Sequence, residues 1–138
     1  MDQKLELLRR VPLFSRLNQK GLERIGQLAD EVDVAAGTEL CREGRSGDAF
    51  YVVIDGTVRI ERGGVRVNSL GSGDFLGEIA LVDGGPRTAT AVTESPTRLL
   101  VVGHREFHTL LEDFPGVRLA ILEALAERVR RLEPAIPH

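Results

Sequence analysis

The residues best equipped for chemistry lie together in one stretch, Phe75-Leu-Gly-Glu-Ile-Ala-Leu-Val-Asp-Gly-Gly-Pro-Arg-Thr-Ala-Thr90. Their types and spacing predict an anion site beside a sugar. Gly77 is expected to open a short apolar turn of helix, Gly77 to Leu81, whose first N–H groups have no partner within it. Free N–H groups at the positive end of a helix dipole attract an anion. Glu78 in that first turn offers an acceptor to a sugar hydroxyl. Gly84-Gly85-Pro86 forces a tight turn, because glycine takes backbone angles that other residues avoid and proline fixes its own. The turn brings Arg87 back beside the helix start, where a guanidinium can grip two phosphate oxygens at once, as a lysine cannot. Thr88 adds a hydroxyl, and Ala89 leaves room.

These residues resemble the phosphate-binding cassette of cyclic nucleotide-binding domains, found in catabolite activator proteins, protein kinase A regulatory subunits and cyclic nucleotide-gated channels. The family pattern is roughly Phe-Gly-Glu-(Leu/Ile)-Ala-Leu, a short turn, then Pro-Arg-(small)-Ala. Gly77, Glu78, Ile79, Ala80 and Leu81 match it, as do Pro86, Arg87, Thr88 and Ala89. Leu76 departs from it, displacing Phe75 from Gly77 by one position. The resemblance implies that Glu78 accepts the ribose 2′-hydroxyl and Arg87 holds the cyclic phosphate. Gly77, Ile79, Ala80, Thr88 and Ala89 would complete the ligand-binding set. A hydroxyl at Thr88 leaves the choice between cyclic AMP and cyclic GMP open.

Each residue also has a plainer reading. Arg87 could be a surface arginine paired with an acid, and Glu78 could serve only to complement a helix dipole. With the site empty, the two could pair with each other. Gly77 and Ala80 suit either close backbone approach to a ligand or turn and packing alone. Ile79, Leu81 and Val82 suit a pocket wall. Gly47 and Asp48 suit a turn, in which Gly47 would let the chain pass close to the ligand.

The elements that must position this stretch follow from periodicity. Asp2 to Arg10 is predicted helical and stopped by Pro12. Asn18 is placed to cap a second helix carrying Leu22, Ile25, Leu28 and Ala29. Short strands split by glycine turns are predicted at Glu31–Val34, Thr38–Cys41, Ala49–Ile54, Thr57–Arg62, Val65–Leu70, Thr88–Thr93 and Arg98–Val102. Helix returns from Arg105, breaks near Pro115, and resumes from about Gly116 to Glu133. Helices, many short strands, then helices make an α+β chain whose strands suit a sandwich or barrel. The resemblance is more specific. Val11-Pro-Leu-Phe14, Glu43-Gly-Arg-Ser-Gly-Asp48 and Phe50-Tyr-Val-Val-Ile-Asp-Gly56 look like the family's lead-in, turn and strand ahead of the cassette. They imply an eight-stranded β jelly roll flanked by N-terminal helices and a C-terminal helical hinge or lid. The expected organisation is a single domain over 1–138: helices in 1–30, jelly roll in 31–103 with the cassette at 75–90, helices in 104–133 and a tail at 134–138.

The whole chain bounds the alternatives. Its 138 residues suffice for a core without disulfides, and a single cysteine, Cys41, cannot form one internally, which suits a cytoplasmic setting. Cys41 itself is expected to be a small strand residue. A net charge of −3 disfavours a nonspecific grip on nucleic acid, and no apolar run has the length of a membrane helix. His104, His108 and His138 lack metal-ligand spacing with Cys41, and no nucleophile–base pair can be assembled, so neither a metal, a cofactor nor catalysis is expected. The expected function is a sensor of a cyclic purine mononucleotide, cyclic AMP first, that couples phosphate binding to movement of the C-terminal helices. The alternative is a jelly-roll interaction module that does not bind nucleotide. Leu122, Leu125, Val129 and Leu132 recur at three-four spacing on the last helix. They suit either packing on the barrel or a homodimer contact, and an effector protein outside the chain is the other partner expected.

Overall fold

Leu5, Leu8, Val11 and Phe14 follow one another at steps of three, so the chain begins by laying down an apolar helical surface. The structure is a computed structural model that describes residues 3–15, 17–47, 49–77 and 86–132. Helix α1 spans Gln3–Arg9, a 3-10 turn covers Pro12–Phe14, and α2 spans Gln19–Leu28. Pro12 both stops α1 and opens the 3-10 turn, where its fixed φ is already suitable and its missing N–H is not needed. Asn18 caps α2 as expected, its Oδ1 accepting from the Gly21 N–H at 2.9 Å. Lys4 Nζ donates to the Gly26 and Ala29 carbonyls, both at 2.6 Å, and so ties α1 to the negative end of the α2 dipole.

Eight strands follow among the described residues: β1 Asp30–Val34, β2 Glu39–Cys41, β3 Ala49–Asp55, β4 Val58–Arg62, β5 Val65–Leu70, β6 Phe75–Leu76, β7 Thr90–Thr93 and β8 Thr97–Gly103. Every pairing is antiparallel. The strands form two four-stranded sheets, ordered β1-β8-β3-β6 and β2-β7-β4-β5. The result is a jelly-roll-like β sandwich. Helices α3, His104–Asp113, and α4, Pro115–Leu132, complete the described chain.

The first sheet is the middle layer, which explains why β3 and β8 are apolar almost throughout. Side chains alternate across a strand. Phe50, Val52, Leu100 and Val102 face the helices and join Leu8, Val11, Phe14, Leu22, Ile25, Phe107, Leu110, Val117 and Ile121 in one core. Val53 and Leu99 face the other sheet and meet Val58, Leu70, Leu76 and Ala91 in a second core. At the edge of the first sheet, β1 is mostly exposed and acidic, with Arg98 Nε donating to Asp33 at 3.0 Å across the β1–β8 register. That hydrogen bond, with the charges of Asp33 and Glu31, pushes the Arg98 pKa further up.

Three expectations need correction. The strand predicted over Thr88–Thr93 begins at Thr90, because the Thr88 and Ala89 carbonyls are taken by side chains, Arg62 Nε at 3.1 Å and Cys41 Sγ at 3.6 Å, rather than by a ladder. Strand β6 was not predicted, since two residues carry no alternation. The stripe on the last helix does not act as a unit. Leu125 packs against the core, whereas Leu122 is 57% and Val129 50% exposed; α4 buries Val117 and Ile121 instead. Cys41 lies in β2, half-buried, as expected.

Candidate anion site

Strand β6 pairs with β3 through Tyr51↔Leu76 and Val52↔Phe75, so the residue after it, Gly77, arrives at the start of β3, close to the Ala49 carbonyl. Gly77 has φ +97°, a left-handed conformation that only glycine adopts without strain. Its own backbone is therefore not helical, and the turn of helix expected after it, to Leu81, lies outside the described residues. Residues 78–85 lie outside the described residues, and with them Glu78, Ile79, Ala80, Leu81 and Val82; Asp48 does too.

Arg87 reaches the same place from the other side. Its backbone is fixed against the turn before β3, the Arg87 N–H donating to the Arg45 carbonyl at 2.8 Å and the Gly44 N–H to the Arg87 carbonyl at 2.9 Å. The side chain turns inward and is only 5% exposed. Nη2 donates to the Ala49 carbonyl at 2.6 Å and Nη1 to the Gly77 carbonyl at 3.0 Å. Nε is buried with no hydrogen-bond partner, the only such side-chain nitrogen or oxygen among the described residues. No carboxylate among them pairs with this guanidinium. Arg87 is therefore not a surface arginine; its expected pairing with Glu78 in an empty site lies outside the described residues.

Two glycines make the space. A Cβ on Gly77 would lie 2.5 Å from Arg87 Nη1 and 2.7 Å from the Ala49 carbonyl oxygen, and a Cβ on Gly47 would fall on Arg87 Nε and Nη2. Gly47 thus does allow a close approach, but of Arg87. Thr88 is exposed and Ala89 half-buried. Below them, the Thr90 hydroxyl accepts from the Glu43 N–H at 3.0 Å, holding the strand to the turn before β3.

The arrangement brings together Gly77 and Arg87, with Thr88 and Ala89 following, around one charged group. Arginine carries five N–H donors, and the two carbonyl contacts use two of them. A buried cation is costly unless an anion completes it. By contrast, the cleft of about 350 Å³ between the start of α2 and the α3–α4 junction, lined by Asn18, Lys20, Asp113 and Phe114, holds no buried polar atom in want of a partner. Sequence reasoning did not find Ala49, which contributes its carbonyl, or the contact of Gly47 with Arg87.

Residues 31–114 match the family described as cyclic nucleotide-binding domain. A CRP-like cAMP-activated global transcriptional regulator of Mycobacterium tuberculosis is 30% identical over 131 residues, covering 91% of this chain and 58% of the regulator. A cyclic nucleotide-gated potassium channel of Rhizobium etli is 32% identical over 123 residues, covering 89% of this chain and 34% of the channel. The chain thus spans between about a third and three-fifths of these curated relatives' lengths. The crystal structure of Thermus thermophilus catabolite activator protein superposes with a TM-score of 0.81 at 30% identity, over 88% of this chain and 60% of that one.

Proposed function

The chain belongs to the cyclic nucleotide-binding domain family, and on that premise we propose that it binds a cyclic purine mononucleotide, cyclic AMP before cyclic GMP, and relays binding to its C-terminal helices. The observation that carries the reading is Arg87: a buried guanidinium, aimed by two backbone carbonyls, with no acid beside it among the described residues. The cyclic phosphate would supply the missing charge. Gly77, Arg87, Thr88 and Ala89 would contact the phosphate side, and Glu78, Ile79 and Ala80 are assigned to the site by the family resemblance, Glu78 on the ribose. Relatives named as cAMP-activated and cyclic nucleotide-gated support the ligand class.

The relay has a physical route. Phe75 in β6, directly ahead of Gly77, lies 5.6 Å from Phe50, ring centre to ring centre, and Phe50 lies 5.0 Å from Phe107 of α3. A shift at the cassette would reach α3 through these three rings, and α4 through the junction at Pro115. The ligand moves the equilibrium only by its difference in affinity for the two states. The exposed side of α4 supports a homodimer: Leu119, Leu122, Ala126 and Val129 recur at three-four spacing, with Arg118 and Glu123 flanking as opposite charges.

Calorimetric titration with cyclic AMP, cyclic GMP and 5′-AMP tests the ligand. Saturable binding of a cyclic form over 5′-AMP is expected. Arg87→Ala should cost roughly 2–5 kcal/mol, tens- to thousands-fold in affinity. Unchanged affinity in that variant removes the cassette assignment. No binding by the parent protein favours an interaction module.

A further inference from the structure

We infer that Gly47 is a positioning residue for Arg87: the side chain missing at 47 is the notch in which the anion-binding guanidinium is held before any ligand arrives. The anion's identity rests on the function proposed above; the notch does not.

The backbone gives no reason for glycine at this position. Gly47 is absent from the glycines with positive φ, which include Gly44 and Gly77, so no left-handed φ demands glycine there. Space is what demands glycine. An added Cβ would fall on Nε and Nη2 of Arg87 and 2.5 Å from Cζ. Those three atoms form one edge of the guanidinium, and Gly47 is packed against it. Arg87 cannot retreat with its backbone, which is bonded to Arg45 and Gly44. It can move only by swinging its head group, and that forfeits the Ala49 and Gly77 carbonyls together. The clash is with the mobile end of a side chain, so an alanine at 47 leaves the sandwich standing and displaces the guanidinium. Gly47 and Gly77 act as the two walls of one slot, which presets the arginine and lowers the ordering cost of binding.

The test is a double-mutant cycle on the full chain, Gly47→Ala, Arg87→Ala and both, read by thermal unfolding without ligand and by calorimetry with cyclic AMP. Gly47→Ala should lower Tm by several degrees and weaken cyclic AMP binding by roughly tenfold or more. In the Arg87→Ala background the same change should leave Tm within about 2 °C, since independent effects add and the clash is gone. If Gly47→Ala alone fails to fold, the double variant should still fold. Overturning results are a Tm loss of equal size in both backgrounds, a double variant that does not fold, or wild-type affinity in Gly47→Ala. A coupled Tm in a parent that binds no cyclic nucleotide overturns the proposed function and, with it, the notch's role toward an anion. An uncoupled Tm in a parent that binds overturns the positioning role alone.

Discussion

A guanidinium nine-tenths buried needs more than two neutral carbonyls to offset its lost hydration. On the function proposed above, Arg87 serves recognition rather than stability, and the glycines at 47 and 77 leave it room. Gly77 should be irreplaceable on two counts, its φ of +97° and the 2.7 Å that a Cβ would leave to the Ala49 oxygen. Gly77→Ala is expected to lower unfolding free energy in urea by roughly 2 kcal/mol or more. Gly116→Ala, at a position in α4 with open space and ordinary φ, should raise it by up to about 1 kcal/mol. Equal effects of the two would mean that the slot exerts no constraint. Arg87→Lys should fail to restore binding, because an ammonium cannot span the two carbonyls and still face an anion. The sequence Gly84-Gly85-Pro86-Arg87 was enough to single out this arginine. Its supports were not legible, since Ala49 lies 38 residues away and contributes a carbonyl, which no side-chain pattern reports.

The elements divide between those that carry a periodicity and those that do not. Strand β5 was predicted with its observed bounds, and β3 and β8 to within a residue at each end, because alternation or an unbroken apolar run defines them. Helix α4 was found, but its buried face was not. Both Val117-Ile121-Leu125 and Leu119-Leu122-Ala126-Val129 have helical spacing, and only the position of the first sheet decides between them. The exposed stripe gives a clean probe of assembly. Leu122→Asp should convert a dimer to a monomer in sedimentation with Tm little changed at low concentration, since Leu122 contributes almost nothing to the core. Leu125→Asp would be ambiguous, as it would also disturb packing beneath α4. A parent chain that stays monomeric at every concentration would end the dimer proposal. At the other interface of the helices, Phe107 is fully buried against Phe50. Phe107→Ala should cost about 3–5 kcal/mol of stability, so the relay is better tested by Phe107→Leu. That variant should keep cyclic AMP affinity near the parent's while reducing the ligand-dependent change in hydrogen exchange along α4.

At the scale of the whole molecule, the proposed ligand must bind a chain of net charge −3 although it is itself an anion. Long-range attraction cannot provide the affinity; contacts in a buried site must. This separates the proposed function from nucleic-acid binding by salt alone. A single buried phosphate contact should leave the affinity for cyclic AMP within about threefold between 50 and 300 mM salt, whereas a protein neutralising many backbone phosphates would lose orders of magnitude. The same buried contact ties ligand binding to folding. The site joins Gly77 after β6, Ala49 at the start of β3 and Arg87 ahead of β7, three segments from both sheets that come together only in the folded chain. A ligand held there binds the folded state and not the unfolded one. At a free concentration a hundred times its dissociation constant, it should stabilise the fold by about 2.7 kcal/mol. For a chain of this length that corresponds to a rise in Tm of roughly 10 °C. The rise should grow with the logarithm of cyclic AMP concentration, be absent with 5′-AMP at equal concentration, and disappear in Arg87→Ala. A parent protein whose Tm ignores cyclic nucleotides at millimolar concentration would have its buried arginine satisfied in some other way, and the interaction-module reading would then stand in place of the sensor.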